Sequence, residues 1–422
     1  MKQSSIKPSI YILFRFSFLF LVIILLGHGC AAPKRLEAVP PELRDKANVP
    51  GMSGVRYWVG DDPSPFFNDG LEALHREQAF LAQSGHKGPL PVAEFLAISG
   101  GGDDGAFAAG LLVGWTAAGN RPQFKAVTGI STGALIAPFA FLGPAYDAQL
   151  KEVYTTMSPK DVLKRRSIIS AVFRDSMADN APLFKLIKKY INQDTLAAIA
   201  AEHKKGRLLL IATTDLDARR GVIWNMGKIA ASGNPNALEL FQRILLASAA
   251  IPAIFPPTLI DVDANGKPYQ EMHVDGGTLA QVFMYPPSLG LKMRALAKEK
   301  GISRERRLYI IRNARLDPDW AETERRTLSI AGRAISSLIQ SQGIGDLYTI
   351  YTIAERDGVD FNLAFIPESF KAVHKEDFDT EYMRQLFDLG YKLAANGYPW
   401  AKTPPGYVEN ENEQIIKIDT PN

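Results

Sequence analysis

Residues 95–107 read Phe-Leu-Ala-Ile-Ser-Gly-Gly-Gly-Asp-Asp-Gly-Ala-Phe, and this stretch decides the class of fold. Its uncharged beginning, Phe95 to Ile98, ends at a row of glycines, as is typical of a buried strand. The small and apolar residues 106–117 then predict a helix. A strand that passes through a glycine turn into a helix is the repeating unit of α/β proteins.

The same unit recurs along the chain. Residues 125–128 predict a second strand and residues 132–142 a second helix, which we expect Pro138 to bend or break. Strands alternate with helical stretches, so we predict an α/β fold with a largely parallel sheet. Active groups in such folds lie at the carboxyl ends of strands. Further strands are predicted at 208–213, 271–274, 308–311 and 361–364.

The glycine loop after the first strand has two possible uses. It fits the dinucleotide pattern G-x-G-x-x-G, but residues 125–128, about 20 positions on, lack the acidic residue that binds the ribose. Asp103 and Asp104 would also repel a pyrophosphate. The other use is an oxyanion hole, because glycines let backbone N–H groups point into a site. A plain strand-to-helix turn is the remaining alternative. The candidate oxyanion residues are Gly100, Gly101, Gly102 and Gly105.

A second motif follows the second strand. Residues 129–133 read Gly-Ile-Ser-Thr-Gly, a G-x-S-x-G elbow that exposes Ser131 as a nucleophile, with Gly129 and Gly133 relieving crowding. In the general hydrolase pattern a histidine after the serine is the base. His203 and His374 lie in polar runs that we interpret as solvated surface, whereas His273 lies two residues before Asp275.

Asp275 stands out as an alternative base. It follows a predicted strand and is itself followed by Gly276 and Gly277. A carboxylate is thereby placed at the end of a strand, near the edge where the serine is expected.

These three motifs, in this order, resemble the signatures of patatin-like phospholipases. Residues 247–257 (Ala-Ser-Ala-Ala-Ile-Pro-Ala-Ile-Phe-Pro-Pro) and 212–216 (Ala-Thr-Thr-Asp-Leu) are similar to flanking text of that family. The resemblance implies a three-layer α/β/α sandwich with a mostly parallel central sheet. It also implies hydrolysis of fatty-acid esters (phospholipids, lysophospholipids or neutral lipids) by a Ser131–Asp275 dyad, without histidine, metal or other cofactor.

The chain departs from the family at one position of the glycine loop. Many members have Arg or Lys where this chain has Asp104, which removes a cation from the neighbourhood of the oxyanion. Asp215 and Asp217 are interpreted as structural carboxylates, because no histidine or third ligand accompanies them in the sequence.

The N-terminus predicts export. A basic start is followed by an apolar run from Phe16 to Leu26, which is too short to span a membrane but suits a signal peptide. Cys30, the single cysteine of the chain, follows in a stretch that resembles a bacterial lipobox. The resemblance implies lipidation of Cys30 and, because Ala31 follows, a site in the outer membrane of a Gram-negative host.

Composition limits the function classes. The chain has 422 residues, of which 46% are hydrophobic and 22% charged, as in an ordinary globular protein. A net charge of +3 gives no argument for a nucleic-acid partner.

The predicted organisation is a signal peptide at 1–29, a tether and extension at 30–90, a catalytic core at 91–290, and residues 291–422 completing the same domain. The sequence identifies no protein partner.

Two other functions stay open at this point. One is a histidine-dependent carboxylesterase on a similar sheet, and the other is a lipid-binding lipoprotein without catalysis. A mixed basic and apolar segment, residues 163–173, fits either an anionic lipid surface or a solvated turn.

Overall fold

The computed structural model describes residues 34–166, 175–299, 303–318, 320 and 322–407. The predicted signal peptide, Cys30 and most of the basic and apolar segment 163–173 lie outside these residues. Within the described chain, no helix has the length and apolar character needed to cross a membrane.

A nine-stranded mixed sheet forms the centre of the fold. Its strands are β1 (Arg56–Trp58), β2 (Ala93–Ile98), β3 (Ala126–Gly129), β6 (Leu208–Asp215), β7 (Arg220–Asn225), β8 (Thr258–Ala264), β9 (Lys267–Asp275), β10 (Arg306–Arg312) and β11 (Asp360–Phe365), while β4 (Lys164–Arg165) and β5 (Ala178–Asp179) form a separate pair. Five neighbouring strands are parallel, in the order β11-β10-β2-β3-β6. The other four pair antiparallel: β7 with β6 and β1, and β9 with β6 and β8.

Helices cover both faces of this sheet. They are α1 (Ser64–Gln83), α2 (Gly105–Ala117), α3 (Thr132–Leu142), α4 (Asp147–Thr156), α5 (Pro159–Val162), α6 (Ala181–Tyr190), α7 (Gln193–Lys204), α8 (Met226–Ala230), α9 (Ala237–Ser248), α10 (Pro287–Glu299), α11 (Thr327–Asp357) and α12 (Thr380–Ala395). Short 3-10 turns occupy Pro41–Lys46, Gly102–Asp104, Pro144–Tyr146 and Gly276–Thr278.

The alternation of side chains along each strand builds the three layers. Ile98 and Ile311 belong to a core that includes residues of α2, α3 and α12. Their neighbours Ala97 and Ile310 point to the opposite face and pack with α11. Because successive side chains of a strand face opposite sides, one apolar run covers both layers. The fold is the three-layer α/β/α sandwich that the sequence predicts.

The site is positioned where two strands end against each other. Strand β3 pairs with β6 and stops at Gly129, opposite Ile211. Strand β9 pairs with the continuation of β6 and stops at Asp275, opposite Thr213. Strand β7 occupies the other edge of β6, so β3 and β9 share one edge and their carboxyl ends meet.

Pro138 does not break its helix. Helix α3 runs without interruption from Thr132 to Leu142 with Pro138 inside it. The helix is almost completely buried, so packing offsets the one backbone hydrogen bond that proline cannot make. Of the two expected effects of Pro138, a bend or a break, the break does not occur.

The ends of the chain also contribute to the sheet. Strand β1 of the predicted extension pairs with β7, and α1 belongs to the same extension. Strands β10 and β11, which follow the core in sequence, pair with β2 and with each other. The described parts of all these segments therefore share one sheet.

Candidate active site

Ser131 occupies a strained turn between β3 and α3. Its backbone has φ 55° and ψ −125°, a combination that is rare for a residue other than glycine. Such strain is characteristic of the nucleophile elbow, where it directs the serine side chain away from the sheet. The residue is 7% exposed, so its hydroxyl is largely shielded from bulk water.

The glycines beside Ser131 are required by close backbone approach. A Cβ on Gly129 would overlap the carbonyl of Gly133, and a Cβ on Gly133 would overlap the carbonyl of Ile98. The elbow is therefore packed directly against the end of β2.

Ser248, at the end of α9, holds the elbow in place. Its hydroxyl accepts a hydrogen bond from the N–H of Ser131 at 3.1 Å and donates one to the carbonyl of Ala212 at 2.7 Å. This contact links the elbow to β6. Sequence analysis did not assign Ser248 a role, although it lies in the family-like stretch 247–257.

Asp275 lies beside the serine. Its carboxylate is a hydrogen-bond partner of the Ser131 side chain and accepts the N–H of Gly277 at 2.7 Å. Gly276 packs closely against the carbonyl of Ala212. Burial raises the pKa of Asp275 to about 7, despite the opposing effect of these two hydrogen bonds. A carboxylate with this pKa is a stronger base than an ordinary aspartate.

The glycine loop presents two free amides. Gly101 and Gly102 have φ values of 153° and 58°, and a Cβ on Gly101 would overlap Asn313. No partner within the described chain accepts a hydrogen bond from either N–H. By contrast, Gly100 donates to the carbonyl of Gln281 at 3.0 Å and Gly105 donates to that of Gly102. Of the four candidate oxyanion donors, only Gly101 and Gly102 therefore have an amide without an acceptor within the described chain.

The loop lies close to the serine. A Cβ on Gly100 would come 3.2 Å from the Cβ of Ser131 and 3.5 Å from Oε1 of Gln281. Asn313 fixes the loop from behind, because its side chain donates to the carbonyl of Ser99 at 2.9 Å and accepts the N–H of Ala108 at 3.1 Å. Because these contacts join segments that are far apart in the chain, no local sequence pattern predicts them.

The two acidic residues of the loop bind the C-terminal part of the chain. Asp103 Oδ2 lies 2.7 Å from Nε2 of His374 and accepts the N–H of Phe378 at 2.8 Å. Asp104 accepts a hydrogen bond from the hydroxyl of Tyr382 at 2.6 Å. Asp104, the departure from the family pattern, therefore attaches α12 to the glycine loop, and Asp103 attaches the segment before it.

A buried cation also lies near this loop. Arg312 ends β10 and is 3% exposed, and within the described chain its buried Nε has no hydrogen-bond partner. Burial lowers the pKa of its guanidinium to about 10, while the charges of Asp346 and Asp104 act in the opposite direction. Arg312 remains protonated at neutral pH and partly compensates for the acidic loop.

None of the three histidines that follow the serine contacts it. His273 is fully buried, with Nδ1 2.9 Å from Thr213 Oγ1 and Nε2 3.1 Å from Glu271 Oε2. His374 is exposed, as expected, but it contacts Asp103 of the loop. His203 is 6% exposed, so its interpretation as solvated surface was wrong.

One buried cluster has the composition of a metal site. Ligand atoms of Asp215, Glu271 and His273 lie within 4.8 Å of one another. However, the guanidinium of Arg56 forms two hydrogen bonds with Glu271, and His273 is already bonded to Thr213. These partners satisfy the cluster as a buried ion-pair network beside the dyad. The Asp217 carboxylate is not part of the cluster and pairs with Arg35 at 2.7 Å, while its N–H donates to Asp215.

Two cavities differ in their relation to the dyad. A space of about 30 Å³ touches Ser131 and Gly102 and is lined mainly by apolar side chains, including Phe378 and Met383. It has the volume of about one water molecule, so an acyl chain needs these side chains to move. A cavity of about 380 Å³ lies under α1 and α10, and its lining includes neither Ser131 nor Asp275.

A serine elbow and an aspartate at the carboxyl edge of a three-layer α/β/α sheet are features of the patatin-like class. Residues 96–285 match the family model described as Patatin-like phospholipase, and this part of the chain is a patatin-like phospholipase domain. The family points to hydrolysis of lipid esters as the general class of activity.

Comparison with individual proteins adds a distant similarity. VipD from Legionella pneumophila is similar in structure, with 12% sequence identity and a TM-score of 0.34. The similarity covers 73% of this chain and 66% of VipD. No curated protein matches the chain in the corresponding search.

Proposed function

We propose that this protein is a serine lipid acyl hydrolase of the phospholipase A or lysophospholipase type. Ser131 is the nucleophile, Asp275 is the general base, and the amides of Gly101 and Gly102 form the oxyanion hole. The observation that carries the proposal is that the carboxyl ends of β3 and β9 meet, which brings the strained Ser131 to the buried Asp275.

The reaction proceeds by two acyl transfers. The Asp275 carboxylate takes the hydroxyl proton as Ser131 Oγ attacks the ester carbonyl carbon, and the carbonyl oxygen becomes an oxyanion. The two free amides donate to that oxygen, and loss of one such donor typically costs about 10²–10³ in kcat. The intermediate collapses, and the leaving alcohol takes the proton from Asp275.

Water completes the cycle. Asp275 removes a proton from the water that attacks the acyl-serine, and the same amides stabilise the second oxyanion. Collapse breaks the bond to Ser131 Oγ, returns the proton to that oxygen, and releases a fatty acid.

The contacts of the histidines favour the dyad over a histidine-dependent esterase. The nearest rival in sequence, His273, has both ring nitrogens bonded to residues other than Ser131. A lipid-binding protein without catalysis would have no need for a strained serine beside a carboxylate of raised pKa.

A direct test uses the purified chain from residue 31 with phospholipids, lysophospholipids and triacylglycerols, with products identified by mass spectrometry. Fatty acid should appear with wild type and not with Ser131→Ala. Equal release by both proteins would refute the proposal, and the preferred substrate would define the lipid class.

We further propose that the protein is a lipoprotein of the outer membrane, attached through diacylglycerol on Cys30. The support is the apolar run before the only cysteine of the sequence. Metabolic labelling with a palmitate analogue should mark wild type but not Cys30→Ser. Equal labelling would contradict the anchor.

A further inference from the structure

The N-terminal half of α11 stands away from the body of the protein. Residues 330–332 and 334–339 are exposed. The first 13 residues of the helix therefore project from the protein, and at a rise of about 1.5 Å per residue they span about 20 Å. Firm contacts begin further along. Gln340 donates to the carbonyl of Asp317 at 2.9 Å, and Gly343 lies against the guanidinium of Arg312.

This projecting half carries almost no charge. Arg333 is the only charged residue between 327 and 345. A helix with water around it normally has charged residues on its solvent face. Ile335 and Leu338 are instead 57% and 69% exposed. A contiguous apolar surface of this kind marks a binding surface.

Three of the four large apolar side chains that are exposed in the described part of this half share one face, and Ile330 lies on another. Ile335, Leu338, Ile339 and Gln342 follow the spacing i, i+3, i+4, i+7, which aligns them along the helix. At the end of this row, Gln342 donates a hydrogen bond to the carbonyl of Leu279, which is itself exposed. We call Ile335, Leu338, Ile339 and Leu279 the α11 stripe.

The stripe leads to the catalytic site. Leu279 lies four residues after Asp275, and Gln342 also contacts Gln281, whose amide oxygen faces Gly100 of the glycine loop. Anything that rests on the stripe is therefore held on the side of Gln281 and the glycine loop, whereas the space that touches Ser131 is lined by other segments.

We propose that the α11 stripe is the surface by which this protein rests on a phospholipid bilayer and draws its substrate from it. The substrate part rests on the proposed lipid hydrolase function. An interfacial helix combines an apolar face with basic residues. Here Arg325 and Arg326 precede the helix, Arg333 lies within it, and no acidic residue occurs between 327 and 345. Glu322 and Glu324 come just before the two arginines, and Glu324 pairs with Arg326, so the basic excess from residue 322 onward is a single charge. This charge pattern suits anionic headgroups.

The test measures binding to vesicles separately from turnover. The protein is the chain from residue 31, which keeps every described residue and lacks the predicted acylation site. Vesicles are phosphatidylcholine with or without phosphatidylglycerol, and binding is measured by sedimentation. The test variant is Ile335→Ser/Leu338→Ser/Ile339→Ser, whose positions are exposed, so circular dichroism and Tm should stay close to wild type.

A matched control removes three other exposed apolar side chains, which are 39–47% exposed: Leu36→Ser/Val59→Ser/Leu216→Ser. Wild type and control should bind, more tightly when phosphatidylglycerol is present. The α11 variant should bind at least about 100-fold more weakly, since three half-exposed side chains no longer enter the bilayer. Its hydrolysis of vesicle phospholipid should fall accordingly, while hydrolysis of a soluble short-chain ester stays within about twofold.

Three results would overturn the proposal. They are absence of vesicle binding by wild type, equal binding by the α11 variant, and a wild-type dimer in light scattering that the α11 variant converts to a monomer. The last would assign the stripe to a second copy of the chain. Repeating the binding assay with Ser131→Ala separates this proposal from the hydrolase proposal, because binding needs no turnover.

Discussion

The raised pKa of Asp275 predicts a specific dependence of turnover on pH. The base acts in its ionised form, so the rate should follow the fraction of Asp275 that is deprotonated. With a pKa of about 7, this fraction is about one half at pH 7 and about one hundredth at pH 5. Turnover should therefore fall about tenfold per pH unit below pH 6 and level off above pH 8. An aspartate of ordinary pKa, about 4, would keep the rate flat down to about pH 5.

The assay is kcat/KM for a soluble short-chain ester between pH 5 and 9, with the released acid measured by mass spectrometry. Because an ordinary histidine titrates near pH 6.5, the profile is repeated with His273→Gln and with alanine at His203 and His374. The acid limb should persist in all three variants. A flat wild-type profile, or an acid limb that disappears with one histidine, would refute the assignment of Asp275.

Three further predictions concern the same site. Asp275→Asn should lower kcat by orders of magnitude. It should also raise the free energy of unfolding at pH 8 by about 1–3 kcal/mol, as measured by calorimetry. The reason is that an aspartate whose pKa is raised in the folded state destabilises the folded protein as pH rises from about 4 to about 7, and Asn carries no such charge. His273→Gln, His203→Ala and His374→Ala should each cost less than about tenfold in turnover. A folded histidine variant as inactive as Ser131→Ala would instead support a histidine-dependent esterase. Ser248→Ala leaves the Ser131 N–H without its acceptor and should cost about 1–3 kcal/mol of stability; an unchanged urea midpoint would contradict this role.

The parts of the fold that sequence predicts best are those with local signals. The two parallel strands that precede the glycine motifs, β2 and β3, were predicted to within two residues at both ends, because each of them leads into a glycine turn. Strands β7 and β8 were not predicted, and neither were the short strands β1, β4 and β5. Strand β7 has only a short apolar run after Arg220 and Gly221, and β8 alternates apolar residues with exposed acids.

The residues of the site also fall into those with a local sequence signal and those without one. Ser131 and Asp275 are marked by motifs, but Ser248 and Asn313 act through contacts between distant segments. His203 could have been placed correctly from helical spacing, because it lies seven residues after the buried Leu196 on the same face of α7. The local run of charges around it obscured that periodicity.

The central claim is that Ser131 is an activated nucleophile. Mass spectrometry after treatment with a fluorophosphonate tests it most directly, since the reagent bonds to a serine whose proton can be removed by a neighbouring base. Wild type should gain one adduct, located by peptide mapping at Ser131, and Ser131→Ala should gain none. Asp275→Asn should react orders of magnitude more slowly. Labelling of Ser131→Ala at the wild-type rate would remove Ser131, and the mechanism built on it, from this protein.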